Sequence, residues 1–308
     1  MSAATGAPEL TDPVGLAAYA SRSLGLDLDP ATARADDSGW DFRVTHIRAV
    51  DGAWWILRRP RRPEAAARLA FEGAVLAAVR DRMPVPVPDW RLHTADLVAY
   101  PRLPGEAAGT EDPDTLAYDW SMDPLAHPGH YLEPLARALV AIHSTPPTPL
   151  PSRPATADQV RARIADRLAR ARTELPLPAA GLRRWQTWLD DDRLWPDRLT
   201  LVHGDVHPGH TLVTRPLSGP PALSGLLDWA NADVGDPAVD FVDLLYAGGV
   251  AVLDRLLEAY RAAGGEVRDG MRAHVLERAS FLWVHVALRG LDTGRPAWVE
   301  TALRRMAP

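Results

Sequence analysis

Two aspartates and a histidine carry the groups that phosphoryl transfer requires. Asp205 and His210 lie five positions apart in the segment 201–213, and Asp228 follows in the segment 226–229. In phosphoryl-transfer enzymes one carboxylate accepts the proton of the attacking hydroxyl, and other side chains hold Mg²⁺ against the nucleotide phosphates. A metal ligand, usually Asn, stands five positions after the base, and His210 occupies that place here. We therefore assign Asp205 as the catalytic residue and His210 and Asp228 as ligands of Mg²⁺.

The residues between His210 and Asp228 predict a β-hairpin that would bring the two ligands together. Strands are expected over 211–214 and 223–227, and the Pro/Gly/Ser-rich stretch 216–221 between them is typical of a turn. An acid at the end of an apolar strand, such as Asp228, is costly without a partner. The alternatives are that Asp205 only caps a turn and that His210 is a hydrogen-bonded structural histidine.

These segments resemble the His-Gly-Asp and Ile-Asp-Trp motifs of the aminoglycoside phosphotransferase superfamily of antibiotic and metabolite kinases. Within it, the chain is most similar to the macrolide 2′-phosphotransferases, from about residue 40 to about residue 295. The blocks that carry this similarity are Trp55–Arg62, Val85–Trp90, Leu97–Pro101, Arg184–Asp192 and His203–His210. Histidine in place of the superfamily's usual Asn is shared with macrolide kinases. Because imidazole prefers softer ions than Mg²⁺, some activity with Mn²⁺ is also expected.

The resemblance implies an α/β (α+β) fold of the bilobal, protein-kinase-like type. A small β-rich nucleotide-binding lobe is expected over residues 1–100, a hinge over 101–105, and a larger helical lobe with the catalytic loop and acceptor site over 106–308. The implied reaction moves the γ-phosphate of GTP, or of ATP, to the 2′-hydroxyl on the amino sugar of a macrolide antibiotic. Such a reaction would confer resistance, and the implied partners are a nucleoside triphosphate and the macrolide.

Arg58 and Glu72 are assigned to nucleotide binding. The chain has no Lys, and Arg58 stands where kinases carry the strand Lys that steadies the α- and β-phosphates. Arg is always charged and can bind phosphate oxygens in a bidentate way, so it is a competent substitute. Glu72, near the middle of the following helix, is the expected ion-pair partner. The alternative is that Arg58 belongs to a solvated basic run over residues 58–62.

Two backbone segments are also expected to contact the nucleotide. The purine should meet backbone groups of Pro101 and Leu103 at the hinge, where Pro101 can only accept a hydrogen bond because it has no N–H. This arrangement suits adenine or guanine, and the preference for GTP rests on the resemblance alone. The candidate phosphate-covering loop, residues 37–42, has one Gly and no G-x-G-x-x-G pattern, so it predicts little by itself.

Composition excludes several other classes of protein. A chain of 308 residues with 46% hydrophobic and 24% charged residues is typical of a globular enzyme with a sizeable core. The net charge of −6 argues against a nucleic-acid binder, and the absence of Cys excludes disulfides and thiolate metal sites. Residues 1–13 do not read as a signal peptide, and no apolar window is long enough for a membrane span. We therefore expect a cytoplasmic enzyme that binds neither nucleic acid nor a membrane.

Hydrophobic periodicity predicts the elements that would position the site. In the N-terminal lobe we expect a helix over 14–26, strands within 40–59 split by a turn at 51–52, a helix over 61–82, and strands near 90–93 and 96–100. Residues 105–129, rich in Pro, Gly and Asp, predict a long loop with little regular structure. Helices are expected over 131–143, 157–175, 180–190, 237–246, 250–263 and 271–291.

Four residues near the catalytic motif are not assigned to catalysis or metal binding. His203 is expected to pack and hydrogen-bond the loop backbone. Asp236 precedes a Pro and predicts a helix N-cap, and Asp240, one turn on, is expected to hold the backbone of the catalytic loop. His207 has two open interpretations: it lines the phosphate path, or it is simply exposed.

The acceptor site is the least defined part of the sequence. A macrolide is bulky and apolar and requires a wide hydrophobic pocket with a few polar contacts. The C-terminal lobe offers side chains for such a pocket, each of which could equally belong to the core: Trp120, Tyr246, Phe281, Trp283 and Met306. One rival hypothesis is an aminoglycoside, sugar or amino alcohol acceptor, which predicts an acidic pocket poor in aromatic residues. Another is a catalytically silent relative that only binds a ligand, as the missing Lys would suggest.

Overall fold

The computed structural model describes residues 12–37, 41–147, 150 and 156–307. The chain divides into two compact units, one formed by Met1–Arg80 with Val87–Leu103 and the other by Asp81–Pro86 with Pro104–Pro308. The first is built on a β-sheet and the second is mostly helical, which confirms the predicted fold class. Two stretches for which the sequence made a prediction lie outside the described residues. They are residues 38–40 of the candidate phosphate-covering loop and residues 1–11 of the N-terminal segment that does not read as a signal peptide.

The first unit contains a five-stranded antiparallel sheet with the strand order β1-β2-β3-β5-β4. Its strands are β1 (Leu28–Asp36), β2 (Phe42–Ala49), β3 (Trp54–Pro60), β4 (Leu92–His93) and β5 (Val98–Pro101). The predicted turn at 51–52 joins β2 to β3, and Gly52 adopts a φ of 96° there, which an L side chain rarely tolerates. β1 was not predicted from the sequence, because five of its nine residues are exposed and only Leu28 is buried.

Two helices belong to the first unit. Helix α1 (Pro13–Leu24) begins at Asp12, whose side chain accepts hydrogen bonds from two backbone N–H groups of the first turn, and it ends at Gly25 in the left-handed conformation. Its small apolar face packs in one cluster with Ile47, Leu57 and other buried residues of the sheet. Helix α2 (Pro63–Val79) buries one charged residue, Glu72, among its apolar ones.

The segment 105–129 contains more regular structure than predicted. It forms the short strands β6 (Glu106–Ala107), β7 (Gly109–Glu111) and β8 (Tyr118–Trp120). β7 pairs with β8, and β6 pairs with β10 (Thr211–Thr214). The expectation of a long irregular loop was therefore wrong in part. Strands of two or three residues are too short to show an alternating pattern, and their pairing partners lie far away in the chain.

Helices make up most of the second unit. They are α3 (Leu132–His143), α4 (Ala157–Glu174), α5 (Ala179–Asp190), α6 (Val242–Ala262), α7 (Met271–Asp292) and α8 (Pro296–Met306). Gly249 interrupts α6 with a φ of 76°, which explains why the sequence predicted two helices there. Helix α8 was not predicted. None of the helices in the described ranges combines the length and apolar character that a membrane crossing needs.

Short strands hold both ends of the catalytic segment. β9 (Thr200–Val202) leads into it and pairs with β12 (Asp233–Gly235), while β10 leaves it and pairs with β11 (Ala222–Leu226) in the predicted hairpin. Residues 203–210 and 227–232 are therefore loops that begin or end on paired strands. Such loops hold their side chains with little freedom.

Candidate active site

Glycine is required at the start of the catalytic loop. Gly204 has a φ of 80°, and a Cβ atom built on it would lie 2.4 Å from the backbone carbonyl oxygen of Asn231. Both the left-handed backbone and this close approach exclude any other residue without a shift of the chain. The Gly of the His-Gly-Asp motif therefore lets the segment after Asp228 pack directly against the catalytic loop.

Asp240 fixes the backbone of the same loop. Its carboxylate accepts hydrogen bonds from the backbone N–H groups of His203, at 2.9 Å, and Gly204, at 2.6 Å. His143 Nε2 lies 3.0 Å from the same carboxylate, and the other ring nitrogen is 2.8 Å from the Tyr260 hydroxyl. Burial by itself raises the pKa of Asp240, but the bonds from His143 and the His203 backbone outweigh it, and the pKa is lowered. The supporting role expected for Asp240 is present in the structure.

His203 packs as the sequence predicted. Its ring is fully buried, lies 4.6 Å from the Trp229 ring, and places Nε2 at 2.9 Å from the backbone carbonyl oxygen of Leu227. Burial lowers the pKa of His203, so the neutral ring donates to that carbonyl. This contact ties the catalytic loop to the end of the hairpin.

The carboxylate of Asp205 is surrounded by three polar side chains. Asn231 Nδ2 donates a hydrogen bond of 2.8 Å to Asp205 Oδ2. His210 Nδ1 lies 3.6 Å from the same oxygen, and His207 Nε2 lies 3.8 Å from Oδ1. Asp205 is thus partly accessible and held in a defined orientation, as a base that accepts a hydroxyl proton must be.

His210 and Asp228 face each other across a short gap. His210 Nδ1 donates to the backbone carbonyl oxygen of Asp205 at 3.0 Å, and Nε2 lies 3.6 Å from Asp228 Oδ2. The first contact fixes the tautomer, so Nε2 keeps the lone pair that a metal ligand needs. Asp228 adopts a φ of 53°, a conformation that is uncommon outside Gly and often marks functional positions.

This pair fits a divalent cation. Two ligand atoms 3.6 Å apart can both reach one ion at the bond length of about 2.1 Å that Mg²⁺ requires. Burial lowers the pKa of His210, but the carboxylates of Asp205 and Asp228 outweigh it and raise the pKa overall. In the part of the chain that the structure describes, Asp205, His207 and His210 form the group of three whose ligand atoms lie within 4.8 Å of one another. His207 therefore lies next to the proposed metal ligands.

His207 is buried rather than exposed. Its ring stacks at 3.8 Å on the His210 ring and lies 5.1 Å from the Tyr118 ring. Its Nδ1 accepts the backbone N–H of Gly209 at 3.1 Å, so the proton of the neutral ring is on Nε2. Burial lowers the pKa of His207 to about 2. Of its two open interpretations, simple exposure is wrong.

Arg58 and Glu72 form the expected ion pair in the first unit. Arg58 Nη1 donates to Glu72 Oε1, and the two residues are only 5% and 2% exposed. The Arg58 guanidinium also lies 3.7 Å from the centre of the Phe42 ring. Arg62, by contrast, is half exposed and pairs with Asp41 at the surface. Arg58 is thus separated from the solvated basic run, and its role in binding phosphates stays a prediction.

Pro101 and Leu103, the two residues expected at the hinge, lie at the end of the first unit. Pro101 is the last residue of β5 and stands opposite Trp55 in β3. The Arg102 N–H donates to the Trp54 carbonyl oxygen at 2.8 Å, and Leu103 follows as the last residue of the unit. Their contacts with a purine stay a prediction.

The sequence analysis missed an acidic and aromatic wall beside Asp205, formed by Glu111, Tyr118, Asp243 and Tyr246. Glu111 and Tyr118 are opposite each other in β7 and β8 and share a side-chain hydrogen bond. Burial and the charge of Asp205 raise the pKa of Glu111 and raise that of Asp243 strongly. The Tyr246 ring lies 5.9 Å from the Tyr118 ring. This wall combines carboxyl groups with aromatic faces.

The five side chains suggested for the acceptor site divide between this wall and the core. Tyr246 belongs to the wall, whereas Phe281 and Trp283 are buried in the helical core. Met306 packs against the same core. Trp120 donates its indole N–H to the Ala247 carbonyl oxygen at 2.8 Å and packs edge-on against the Tyr131 ring. Tyr246 approaches the proposed catalytic residues through Tyr118, whose ring contacts both Tyr246 and His207.

Comparison with known proteins decides the family. The profile described as the phosphotransferase enzyme family (APH) matches residues 32–274. This chain belongs to the APH phosphotransferase family. The phosphotransferase is 35% identical to the uncharacterized protein YcbJ of Bacillus subtilis (strain 168) over 303 residues, which cover 96% of this chain and 95% of YcbJ.

Two solved structures extend this result. The apoenzyme of the macrolide 2′-phosphotransferase MphH from Brachybacterium faecium is 35% identical, with a TM-score of 0.80, and the match covers 95% of this chain and 97% of MphH. A structure described as macrolide 2′-phosphotransferase type I is 36% identical, with a TM-score of 0.81, and the match covers 100% of this chain and 99% of the other. The fold of the phosphotransferase and its membership of a small-molecule kinase family thus agree with the sequence resemblance.

Proposed function

We propose that this phosphotransferase moves the γ-phosphate of a nucleoside triphosphate to the 2′-hydroxyl of a macrolide's amino sugar. The observation that carries the proposal is the cluster of Asp205, His210 and Asp228, in which His210 lies 3.6 Å from each of the two carboxylates. This arrangement supports a proton acceptor beside two metal ligands. The likeness to two macrolide 2′-phosphotransferases along nearly the whole chain supports the choice of acceptor. GTP is the proposed donor, with ATP as the alternative.

In the proposed reaction Asp205 orients the acceptor hydroxyl and accepts its proton. The hydroxyl oxygen attacks the γ-phosphorus, the bond from the γ-phosphorus to the β–γ bridging oxygen breaks, and the nucleoside diphosphate leaves. His210, through Nε2, and Asp228 would hold Mg²⁺, which supplies positive charge to the phosphate oxygens when it is bound. Arg58, steadied by Glu72, binds the α- and β-phosphates, and the backbone of Pro101 and Leu103 binds the purine.

The wall beside Asp205 supports an acceptor that is both cationic and apolar. The carboxyl groups of Glu111 and Asp243 have raised pKa values partly because Asp205 repels them. A protonated amine bound there would relieve this repulsion and favour the ionised carboxylates. The rings of Tyr118 and Tyr246 add faces that attract an alkylated ammonium group. A dimethylamino sugar matches this combination, whereas the rival aminoglycoside hypothesis predicts an acidic wall poor in aromatic residues.

The experiment is a matrix of acceptors and donors with Mg²⁺ present. Purified protein should phosphorylate erythromycin-like macrolides, and Asp205→Asn should lower kcat by about 10²–10⁴-fold, the range for a positioned general base. Asp233→Asn is the matched control and should keep full activity. Among the described residues, the Asp233 side chain accepts a hydrogen bond only from the backbone N–H of its neighbour Val234. Transfer to kanamycin-like acceptors alone would overturn the macrolide assignment. Absence of transfer to every acceptor would favour a silent relative.

A second pair of variants tests the wall. Glu111→Gln and Asp243→Asn should each raise KM for the macrolide about 10-fold or more, since a charge-assisted contact contributes about 1.5–3 kcal/mol. KM for the nucleotide should stay within about twofold if the wall serves the acceptor alone. A larger effect on the nucleotide than on the macrolide would contradict this assignment of the wall.

A further inference from the structure

Asn231 makes the hydrogen bond that holds the catalytic carboxylate. Its Nδ2 lies 2.8 Å from Asp205 Oδ2. Across the described ranges, Asp205 Oδ1 accepts no hydrogen bond, and its near neighbour is His207 Nε2 at 3.8 Å. One oxygen of the carboxylate is therefore engaged, and the other is left for the acceptor hydroxyl. Neither the sequence motif nor its spacing had pointed to Asn231.

The backbone around Asn231 is fixed from both sides. Trp229, two residues earlier, is fully buried, packs on the His203 ring and donates its indole N–H to the Leu226 carbonyl oxygen at 3.3 Å. On the other side, the carbonyl of Asn231 approaches so close to Gly204 that a Cβ atom there would lie 2.4 Å from it. Because the backbone is held, the side-chain amide reaches Asp205 from a defined direction although Asn231 itself is exposed.

We propose that Asn231 is a positioning residue for the transfer reaction: its amide fixes the rotation of the Asp205 carboxylate so that Oδ1 faces the acceptor hydroxyl. An amide suits this task because it is neutral. It orients the carboxylate without adding a positive charge, which would make the carboxylate a weaker base. The Trp229 anchor links this residue to Asp228, so one buried ring places both the metal ligand and the positioning amide. The inference rests on the proposed phosphotransfer.

Kinetics of three variants test the role. Asn231→Leu has a similar shape without the donor and should lower kcat about 5–10-fold, the value of about one hydrogen bond. KM for nucleotide and for macrolide should change less than about twofold, because the proposed role sets the amide against Asp205 rather than against a substrate. Asn231→Gln, which keeps the donor, should recover most of the rate. Asn231→Asp, which sets a second carboxylate against Asp205, should lose more than Asn231→Leu. Asp233→Ala, two residues away, is the control and should behave as wild type.

A spectroscopic test does not depend on activity. Asn231 is the single asparagine of the chain, so protein labelled selectively with ¹⁵N-asparagine gives one side-chain NH₂ pair in an NMR spectrum. One proton of this pair should be shifted downfield and protected from exchange in wild type, and both features should disappear in Asp205→Ala. Circular dichroism of each variant checks that it folds.

The possible outcomes are distinct. Wild type that transfers no phosphate, together with the expected NMR signal, overturns the proposed function but leaves the contact intact. Active wild type with an unchanged kcat in Asn231→Leu overturns the positioning role. A change in KM at constant kcat would show instead that Asn231 contacts a substrate. A side-chain signal that is the same in wild type and in Asp205→Ala would show that the hydrogen bond does not form.

Discussion

The ion pair of Arg58 and Glu72 allows stability and nucleotide binding to be separated in one set of variants. Both residues are almost fully buried, at 5% and 2% exposure. Glu72→Leu removes the carboxylate that faces the Arg58 guanidinium, and removing one partner of a buried pair costs about 3–5 kcal/mol. The contact between Arg58 and the Phe42 ring, at 3.7 Å, persists and keeps about 0.5–2 kcal/mol of attraction for the cation. We therefore expect a loss of about 3 kcal/mol, the lower end of the range.

The double variant supplies the decisive comparison. Arg58→Met alone should cost a similar amount, because it leaves the Glu72 carboxylate in an apolar setting. Arg58→Met with Glu72→Leu replaces the pair by two apolar side chains, and such replacements are often neutral or stabilising. The double variant should thus be about 6 kcal/mol more stable than the sum of the two single losses, each of about 3 kcal/mol, would give. Nucleotide binding should not recover, because the guanidinium that is proposed to contact the phosphates is absent.

Urea unfolding followed by tryptophan fluorescence gives the stability of each variant, and steady-state kinetics gives KM for nucleotide and macrolide. Variants without Arg58 should raise the nucleotide KM about 10–100-fold, as expected for one charged hydrogen bond, and leave the macrolide KM nearly unchanged. Strictly additive stability changes would refute the buried pair. A stable double variant with a wild-type nucleotide KM, or equal effects on both substrates, would refute the phosphate-binding role of Arg58.

Three further predictions concern the catalytic loop and a buried histidine. Gly204→Ala must displace the Asn231 carbonyl, since its Cβ would lie 2.4 Å away; kcat should fall about 10²-fold, and a wild-type kcat would contradict the tight approach. Asp240→Asn weakens two hydrogen bonds to the loop backbone and should lower the free energy of unfolding by about 1–3 kcal/mol, measured in urea; no change would contradict its role. Burial and the charge of Arg167 hold the pKa of His285 at about 3. In the unfolded chain His285 has its ordinary pKa of 6.5. Below pH 6.5 the unfolded chain therefore binds a proton at His285 that the folded chain does not bind, so the free energy of unfolding falls from pH 6.5 toward pH 3. His285→Gln should reduce this slope by about 1.4 kcal/mol per pH unit, and equal slopes for the two proteins would rule the effect out.

The sequence predicted the catalytic cluster because its members are joined by short pieces of chain. Five positions separate Asp205 from His210, and a single hairpin brings Asp228 back to them. A loop between paired strands and a hairpin are local structures, so residue spacing and turn composition nearly determine where these side chains lie. The pairing of Arg58 with Glu72 was predictable for a similar reason, since a strand and the following helix are neighbours in the chain.

The acidic wall was missed because long-range pairing creates it. Glu111 and Tyr118 lie in strands of three residues, and Asp243 lies in the first turn of α6. The neighbours of Glu111 and Tyr118 in the chain show no periodic pattern, and Asp243 lies on a predicted helix whose packing partners the sequence does not give. The Asp205 segment meets β7 only because β6 pairs with β10 and Gly109 donates to the Pro208 carbonyl oxygen at 3.1 Å.

This difference has a consequence for how the site divides its tasks. The residues proposed to perform the chemistry are fixed by local geometry, and their spacing can persist in enzymes that act on different acceptors. The wall, by contrast, is assembled from separate elements, so substitutions there can change the acceptor without disturbing Asp205, His210 or Asp228. Asn231 belongs with the residues proposed for the chemistry, because the Trp229 anchor places it together with Asp228. Substitutions at Asn231 should therefore alter the rate for every acceptor by the same factor, whereas substitutions at Asp243 should change the ratio of rates between acceptors.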